Sequence, residues 1–266
     1  MVSRWDRNRR SCLFASAATI GSLLMVVPAH AAPEEIQVYE NDLDRPGQFG
    51  LDVHTNYVLT NHAGPDYVGE QSPDHRFRVT PEFSYGVTSA VELGLYLPLA
   101  EVDRSGHFTV DGAKARIKYI APHAPEQSFY YGVNFEIGHV DHRLDENPWN
   151  AELKGITGWR KGPWDLAFNV NIDFAVSGPD KGPATIQFAT KASYKVTDKL
   201  ALGLESYDGA GTFHNFGHFA DAGHSIYATA DTSIGPWDIN FGVGRGYSGE
   251  PDKWVVKMIV SVPIDQ

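Results

Sequence analysis

Cysteine is nearly absent: the 266 residues hold one, Cys12, and it falls in a stretch expected to be removed. A mature chain without thiols has no disulfide, no thiolate metal site and no cysteine nucleophile. Basic residues are also short, 22 Lys and Arg against 33 Asp and Glu, for a formal net charge of −11. An acidic chain is a poor ligand for the phosphate backbone, so no nucleic-acid partner is expected. Past the first thirty or so residues no run of about eighteen apolar residues occurs, which excludes a transmembrane helix there.

What is present begins with Arg4, Arg7, Arg9 and Arg10, an apolar run from about Cys12 to Val27, and Pro28-Ala29-His30-Ala31. A basic start, an apolar centre and small residues at an A-x-A site make residues 1–31 a secretory signal peptide, cut near Ala31. Arg9-Arg10 has the pair of a twin-arginine signal, but the surrounding residues fit that signal poorly. Removal of residues 1–31 takes away four Arg and one Asp and moves the net charge from −11 to −14. Residues 32–48 are acidic without a clean period and read as a periplasmic or lumen-inserted lead segment.

The stretch from Ala151 to Ser177 carries the strongest pattern. From Trp164 the apolar residues Trp164, Leu166, Phe168, Val170, Ile172 and Phe174 fall on every second position, with Asp165, Ala167, Asn169, Asn171 and Asp173 between them. A period of two is a strand with one apolar and one polar face. Its length, about eleven residues, is what a tilted strand needs to cross a bilayer. Trp159 and Trp164 flank the tight turn Arg160-Lys161-Gly162-Pro163, and Trp favours the membrane–water boundary. The same alternation predicts strands at about 49–59, 75–85, 91–99, 109–119, 129–139, 185–196, 200–206, 225–234, 237–245 and 253–264 beside the two of this hairpin.

Short connections follow strands two, six, eight and ten, with Ala121 to Ser128 after strand four as a longer exception. The others are longer and richer in Asp, His, Gly and Pro, the longest being Tyr207 to Gly223. The expected fold is all-β: an antiparallel transmembrane β-barrel of about twelve strands over residues 49–266, with long outer loops and short periplasmic turns. Its expected place is the outer membrane of a Gram-negative bacterium, and its partners the membrane lipid, periplasmic chaperones, the barrel-assembly machinery and a small solute. A soluble barrel or sandwich also alternates, but with the apolar face inward.

If the apolar face meets lipid, the other face lines the lumen. Arg76, Arg78, Lys114, Arg116, Lys118, Lys154 and Lys191 then point inward, with Glu82, Glu92, Glu136, Glu152, Asp173 and Glu205 as partners. Two readings stay open. In one, the basic residues of strands two and four form a positive stripe along a narrow pore or binding site for a small anionic solute. In the other, opposite charges close the lumen as a polar core of a structural barrel, since buried ions persist only when paired or hydrated.

Histidines gather in the predicted outer loops, and His214, His218, Asp221 and His224 offer the ligand types of zinc or copper, without the spacing of a rigid site. No cofactor is expected. A third function class is a lipid hydrolase at the outer rim, with Ser225 or Ser206 near His224, but adjacent strand residues point to opposite faces and no G-x-S-x-G signature occurs. The chain is therefore read as a non-enzyme with no catalytic residue. Gly242-Val243-Gly244-Arg245-Gly246 is not followed by a helix and fails as a phosphate cradle.

The phrases Pro46-Gly47-Gln48-Phe49-Gly50, Thr80-Pro81-Glu82-Phe83-Ser84-Tyr85-Gly86 and Val91-Glu92-Leu93-Gly94 resemble those of poorly characterised proteobacterial outer-membrane barrels, loosely akin to the transporter-like barrels named after a phenol-degradation pathway. The resemblance implies a fold and a location and carries over no catalytic residue. Such barrels commonly end on an aromatic residue, whereas this sequence ends Val262-Pro263-Ile264-Asp265-Gln266.

Overall fold

The computed structural model describes residues 35–61, 65, 67–97, 100–102, 105–123, 127–179, 181–217 and 222–264. The expected signal peptide with its cleavage near Ala31, and the loop residues His218 and Asp221, lie outside the described residues.

Fifteen strands follow one another: β1 (Phe49–Asn61), β2 (Phe77–Thr88), β3 (Val91–Tyr96), β4 (Ala100–Val102), β5 (Phe108–Val110), β6 (Gly112–Ile120), β7 (Phe129–Val140), β8 (Trp149–Lys161), β9 (Trp164–Ser177), β10 (Thr185–Thr197), β11 (Leu200–Thr212), β12 (Asn215–Phe216), β13 (Gly223–Ile234), β14 (Trp237–Ser248) and β15 (Asp252–Pro263). No helix occurs among the described residues. β3 with β4, and β5 with β6, each make one interrupted stave, and β12 is a short addition to β11. Twelve antiparallel staves result. β1 pairs with β2 on one side and with β15 on the other, from Gly50↔Pro263 to Asn61↔Asp252, so the sheet closes on itself. Closure leaves no sheet edge, which a strand-built membrane protein requires because lipid cannot hydrogen-bond an open ladder.

The alternation is inverted relative to a soluble barrel. On β2 the outward Phe83 is 42% exposed while its neighbour Glu82 is 1% exposed. Leu93, Leu204, Phe241 and Trp254 are likewise exposed, and Arg116, Glu136, Lys154 and Lys257 are buried. A solvated protein would not leave such continuous apolar rows in water. Trp159, Trp164 and Trp237 are exposed at the rim of short turns, and Trp149 and Trp254 near the opposite rim. Two aromatic girdles around an apolar band are the outer surface of a transmembrane barrel.

The short turns have local causes. Lys161 pairs with Trp164 and Ile234 with Trp237, so two-residue loops, Gly162-Pro163 and Gly235-Pro236, join β8 to β9 and β13 to β14. Both glycines have positive φ, 61° and 64°, the conformation a two-residue hairpin demands at its first loop position. Thr88↔Val91 and Thr197↔Leu200 enclose two more loops of the same length.

Several boundaries differ from the sequence reading. The stave predicted over 91–99 breaks after Tyr96 and resumes at Ala100; the sequence has Pro98 there, a residue with no N–H for the ladder. β11 runs to Thr212 instead of stopping at Ser206. Its extension contains a register shift, Ile186 facing Gly211 and Gln187 facing Gly209, and a bulge beside glycines erases the two-residue period. The connection Tyr207 to Gly223 is correspondingly shorter. His75 precedes β2 and has a positive φ of 60°.

Two predictions follow from this arrangement. Phe241 is 43% exposed on the outer face of β14, so Phe241→Arg should destabilise the barrel in vesicles by about 2–4 kcal/mol in denaturant titration. Glu250 lies in the loop between β14 and β15, where burial, reinforced by the Asp252 carboxylate, pushes its carboxyl up to about 7. A raised folded-state value means the stabilisation is whole below the ordinary carboxylate range and is lost as pH rises through about 7. Glu250→Gln should therefore melt with the wild type near about pH 4 and roughly 3 °C above it near about pH 8, read by thermal melting in detergent.

Candidate functional site

The inward faces of twelve staves would leave a charged, open tube, but residues 35–48 occupy it. Ile36 and Val38 are buried against Val58, Ala167, Ala189, Tyr207, Tyr227 and Val255, small and apolar inward positions on several strands. Tyr39 packs with Ile120, Tyr130 and Ile156. An extended segment of this kind has no ladder of its own, so its backbone groups need partners from the wall. Asn169 on β9 supplies two: its Oδ1 accepts from the Tyr39 N–H at 2.6 Å and its Nδ2 donates to the Tyr39 carbonyl at 2.9 Å. Lys257 donates to the Ile36 carbonyl at 2.9 Å and Lys118 to the Asp42 carbonyl at 2.7 Å. The Asp44 N–H donates to Glu92 at 2.5 Å.

Tyr39 is the centre of this arrangement. Its hydroxyl is 2.7 Å from that of Tyr96 and donates to Glu136 at 3.1 Å, while Tyr96 donates to Glu35 at 2.9 Å. Three cations surround its ring, with the Lys154 ammonium 3.8 Å, the Lys118 ammonium 5.0 Å and the Arg116 guanidinium 5.9 Å from the centroid. Cations over a ring face are attracted by its quadrupole, most strongly where water is excluded.

The sequence-predicted lumen residues fall into groups. Arg116 bridges Glu82 and Glu92, contacting Glu82 through Nε and Glu92 through Nη2 at 2.8 Å. Gly94 makes this bridge fit, because a Cβ there would run into the Arg116 side chain. Lys154 pairs with Glu152 at 3.1 Å. Lys191 lies between Glu40 at 3.3 Å and Asp231 at 3.1 Å, and Lys257 contacts Glu205. Glu136 and Asp173 share the region of Lys154 and Lys114 on the long-loop side of the lead segment. Arg78 is buried, and Arg76 stands apart near the outer loops, donating to the Gln71 carbonyl at 2.9 Å. The basic residues of β2 and β6 thus do not form an uncompensated stripe: Arg116 is bracketed by two carboxylates and Lys118 is turned onto the lead segment.

Tyr39, Asn169, Tyr96 and Glu35 were not singled out by sequence reasoning. Asn169 and Tyr96 were legible as inward positions, and the signal that could have marked Tyr39 is its place beside Ile36 and Val38 in an otherwise acidic stretch. At the outer rim, the histidines do not converge among the described residues. His214 is exposed in the turn after β11, and His224 pairs with Asp208 at 2.8 Å and stacks on Tyr247. One His and carboxylate grouping, Asp52, His54 and Glu82, does occur in the lumen, but Glu82 there already serves Arg116 and His54.

The lead segment leaves two cavities. One, of 730 Å³, opens toward the short-turn rim between Glu40, Arg116, Arg160, Lys191 and Asp231. The other, of 150 Å³, lies on the long-loop side between Glu35, Glu136, Glu152, Lys154, Asn171 and Asp173. Carboxylates outnumber basic groups in both linings, eleven to six in the first and four to two in the second.

Lys257 and Glu205 are each 2% exposed. Removing one member of such a pair strands the other in a dry interior, so Glu205→Gln should cost about 3–5 kcal/mol. The double change Lys257→Met/Glu205→Leu should cost distinctly less, a non-additivity that thermal melting of the four variants would measure.

In sequence the chain matches no protein-family model and no curated protein. In structure it is similar to an outer-membrane channel from Pseudomonas putida F1, with a TM-score of 0.56 at 11% identity over 86% of this chain and 99% of that one. It is also similar to the NanC porin, with a TM-score of 0.52 at 10% identity over 81% of this chain and all of that one, 100%. The closed twelve-stave sheet, its inverted faces and these likenesses together give the protein the fold of the outer-membrane β-barrels.

Proposed function

We propose that the protein is an outer-membrane barrel of a Gram-negative bacterium that binds and passes a small solute through a narrow conduit. The observation that carries this reading is the pair of cavities on opposite sides of the lead segment. Gln37 lines both of them, so a stretch of extended chain a few residues long is what separates the two mouths. A barrel of about twelve staves is wider than one that side chains alone fill and narrower than an open porin. Two solved structures of similar fold are a channel and a porin, which supports passage. In this reading the barrel inserts from the periplasm with the help of chaperones and the assembly machinery, and lipid surrounds its apolar band.

A structural barrel with a closed lumen is the second reading, and the Arg116, Lys191 and Lys257 ion pairs favour it. Planar-bilayer recordings separate the two. The conduit reading expects small, well-defined conductance steps from the wild type. It also expects steps several-fold larger from Tyr39→Ala, which removes the ring that Lys154, Lys118 and Arg116 surround. Silent bilayers for both proteins, with the heat-modifiable folded band present, would overturn the conduit and leave the structural barrel.

A further inference from the structure

We infer that the cavity on the long-loop side of the lead segment is a binding site for a small organic cation, an aliphatic amine carrying one or two ammonium groups. This deepens the conduit reading by naming the class of solute. Glu35, Glu136, Glu152 and Asp173 face a cavity that also receives Lys114 and Lys154. Four carboxyl groups against two ammonium groups leave acceptor oxygens that the two lysines do not fill. Lys154 is already engaged, 3.1 Å from Glu152 and 3.8 Å from the centre of the Tyr39 ring. Glu152 and Asp173 sit directly opposite each other in the β8–β9 register, so two carboxyl groups crowd one site. A bound ammonium group between two such carboxyl groups donates to both.

A second observation does not depend on charge. Asn171, two residues before Asp173 on the same inward face of β9, is 5% exposed and lines this cavity. Its Nδ2 donates to Gln187 at 3.4 Å, whereas its Oδ1 accepts no hydrogen bond among the described residues. A buried acceptor without a donor costs about 1–3 kcal/mol, and an ammonium group brings three N–H donors. Carboxylates and an amide oxygen around one cavity are acceptors only, the complement of such a group.

The remaining lining chooses between an organic and an inorganic cation. Tyr207 and Ala222, both buried, line the cavity beside the carboxylates. A small divalent ion keeps its waters and gains nothing from apolar walls, while a short hydrocarbon stem covers them. The 150 Å³ available holds roughly half a dozen heavy atoms, judged against about 30 Å³ per liquid water. An anion would meet the carboxylates directly and is excluded by the same field.

The test is isothermal titration calorimetry on the full-length folded protein in detergent, with putrescine as the probe and glutarate and magnesium as comparisons. Saturable heat with putrescine, absent with glutarate, is the expected result. Glu152→Gln/Asp173→Asn should weaken that binding at least tenfold, and Asn171→Leu, which leaves every charge in place, should weaken it several-fold. No saturable heat with putrescine on folded wild-type protein overturns the site, as does tighter binding of glutarate or magnesium, or binding that the double variant leaves intact. Heat in calorimetry with silent bilayers would keep the site and remove the conduit; conductance without heat would do the reverse.

Discussion

A sheet rolled shut with its apolar rows outward has to put its ions inside, and everything else in this structure answers that constraint. Alternation along a strand is strict, so each lipid-facing Phe or Leu brings an inward neighbour. In this sequence the inward neighbours are Glu82, Arg116, Glu136, Lys154, Glu205 and Lys257. Taking such groups from water costs several kcal/mol each unless they find charge or hydrogen-bond partners. Cross-strand pairs alone do not supply them, because the register also places Glu152 against Asp173. The missing partners come from residues 35–48, which present backbone carbonyls to Lys118 and Lys257, a carboxylate to Lys191 and a ring to three cations.

The lead segment is accordingly both structural and positional. Its backbone is held at Tyr39 by Asn169 and at Ile36 by Lys257, contacts spread over β9 and β15. Glycines let it lie close to the wall: a Cβ on Gly86 would collide with the backbone of Asp44 and Arg45, and one on Gly50 with the Asp44 carboxylate. A segment fixed at many polar points and few apolar ones is held by interactions that a competing solute can replace one at a time. The fill combines hydrogen bonds and ion pairs with apolar contacts at Ile36, Val38 and Tyr39.

Most of the wall was legible in the sequence because lipid and lumen impose opposite chemistries on alternate residues, and the strand from Trp164 to Phe174 shows this most regularly. Legibility failed where the backbone departs from that rule. The bulge at Gly209 to Gly211 hid the end of β11, and the break before Pro98 shortened β3. The lumen-facing charges were readable as a set, since most of them sit between two apolar neighbours. Their partners were not, because Tyr39 belongs to a segment with no period and Asn169 looks like any polar inward residue. Contacts between positions 130 residues apart in sequence depend on where the closed sheet brings its walls, which a local pattern does not encode.

The sign of the lumen shows how far the two levels can diverge. Read along the chain, Arg76, Arg78, Lys114, Arg116 and Lys118 look like a positive path for anions. Read in space, Arg116 is spent on Glu82 and Glu92, Lys118 on the lead segment, and Arg76 on an outer loop. The groups left facing the two cavities are predominantly carboxylates, many of them contributed by residues 35–48 and by the turn-side ends of the strands. A field inside a low-dielectric wall is set by the charges that remain uncompensated, and it acts on an entering ion over several ångströms with little screening. The charge that Arg116 and Lys118 present in the sequence is thus taken up by Glu82, Glu92 and the lead segment once the sheet is closed.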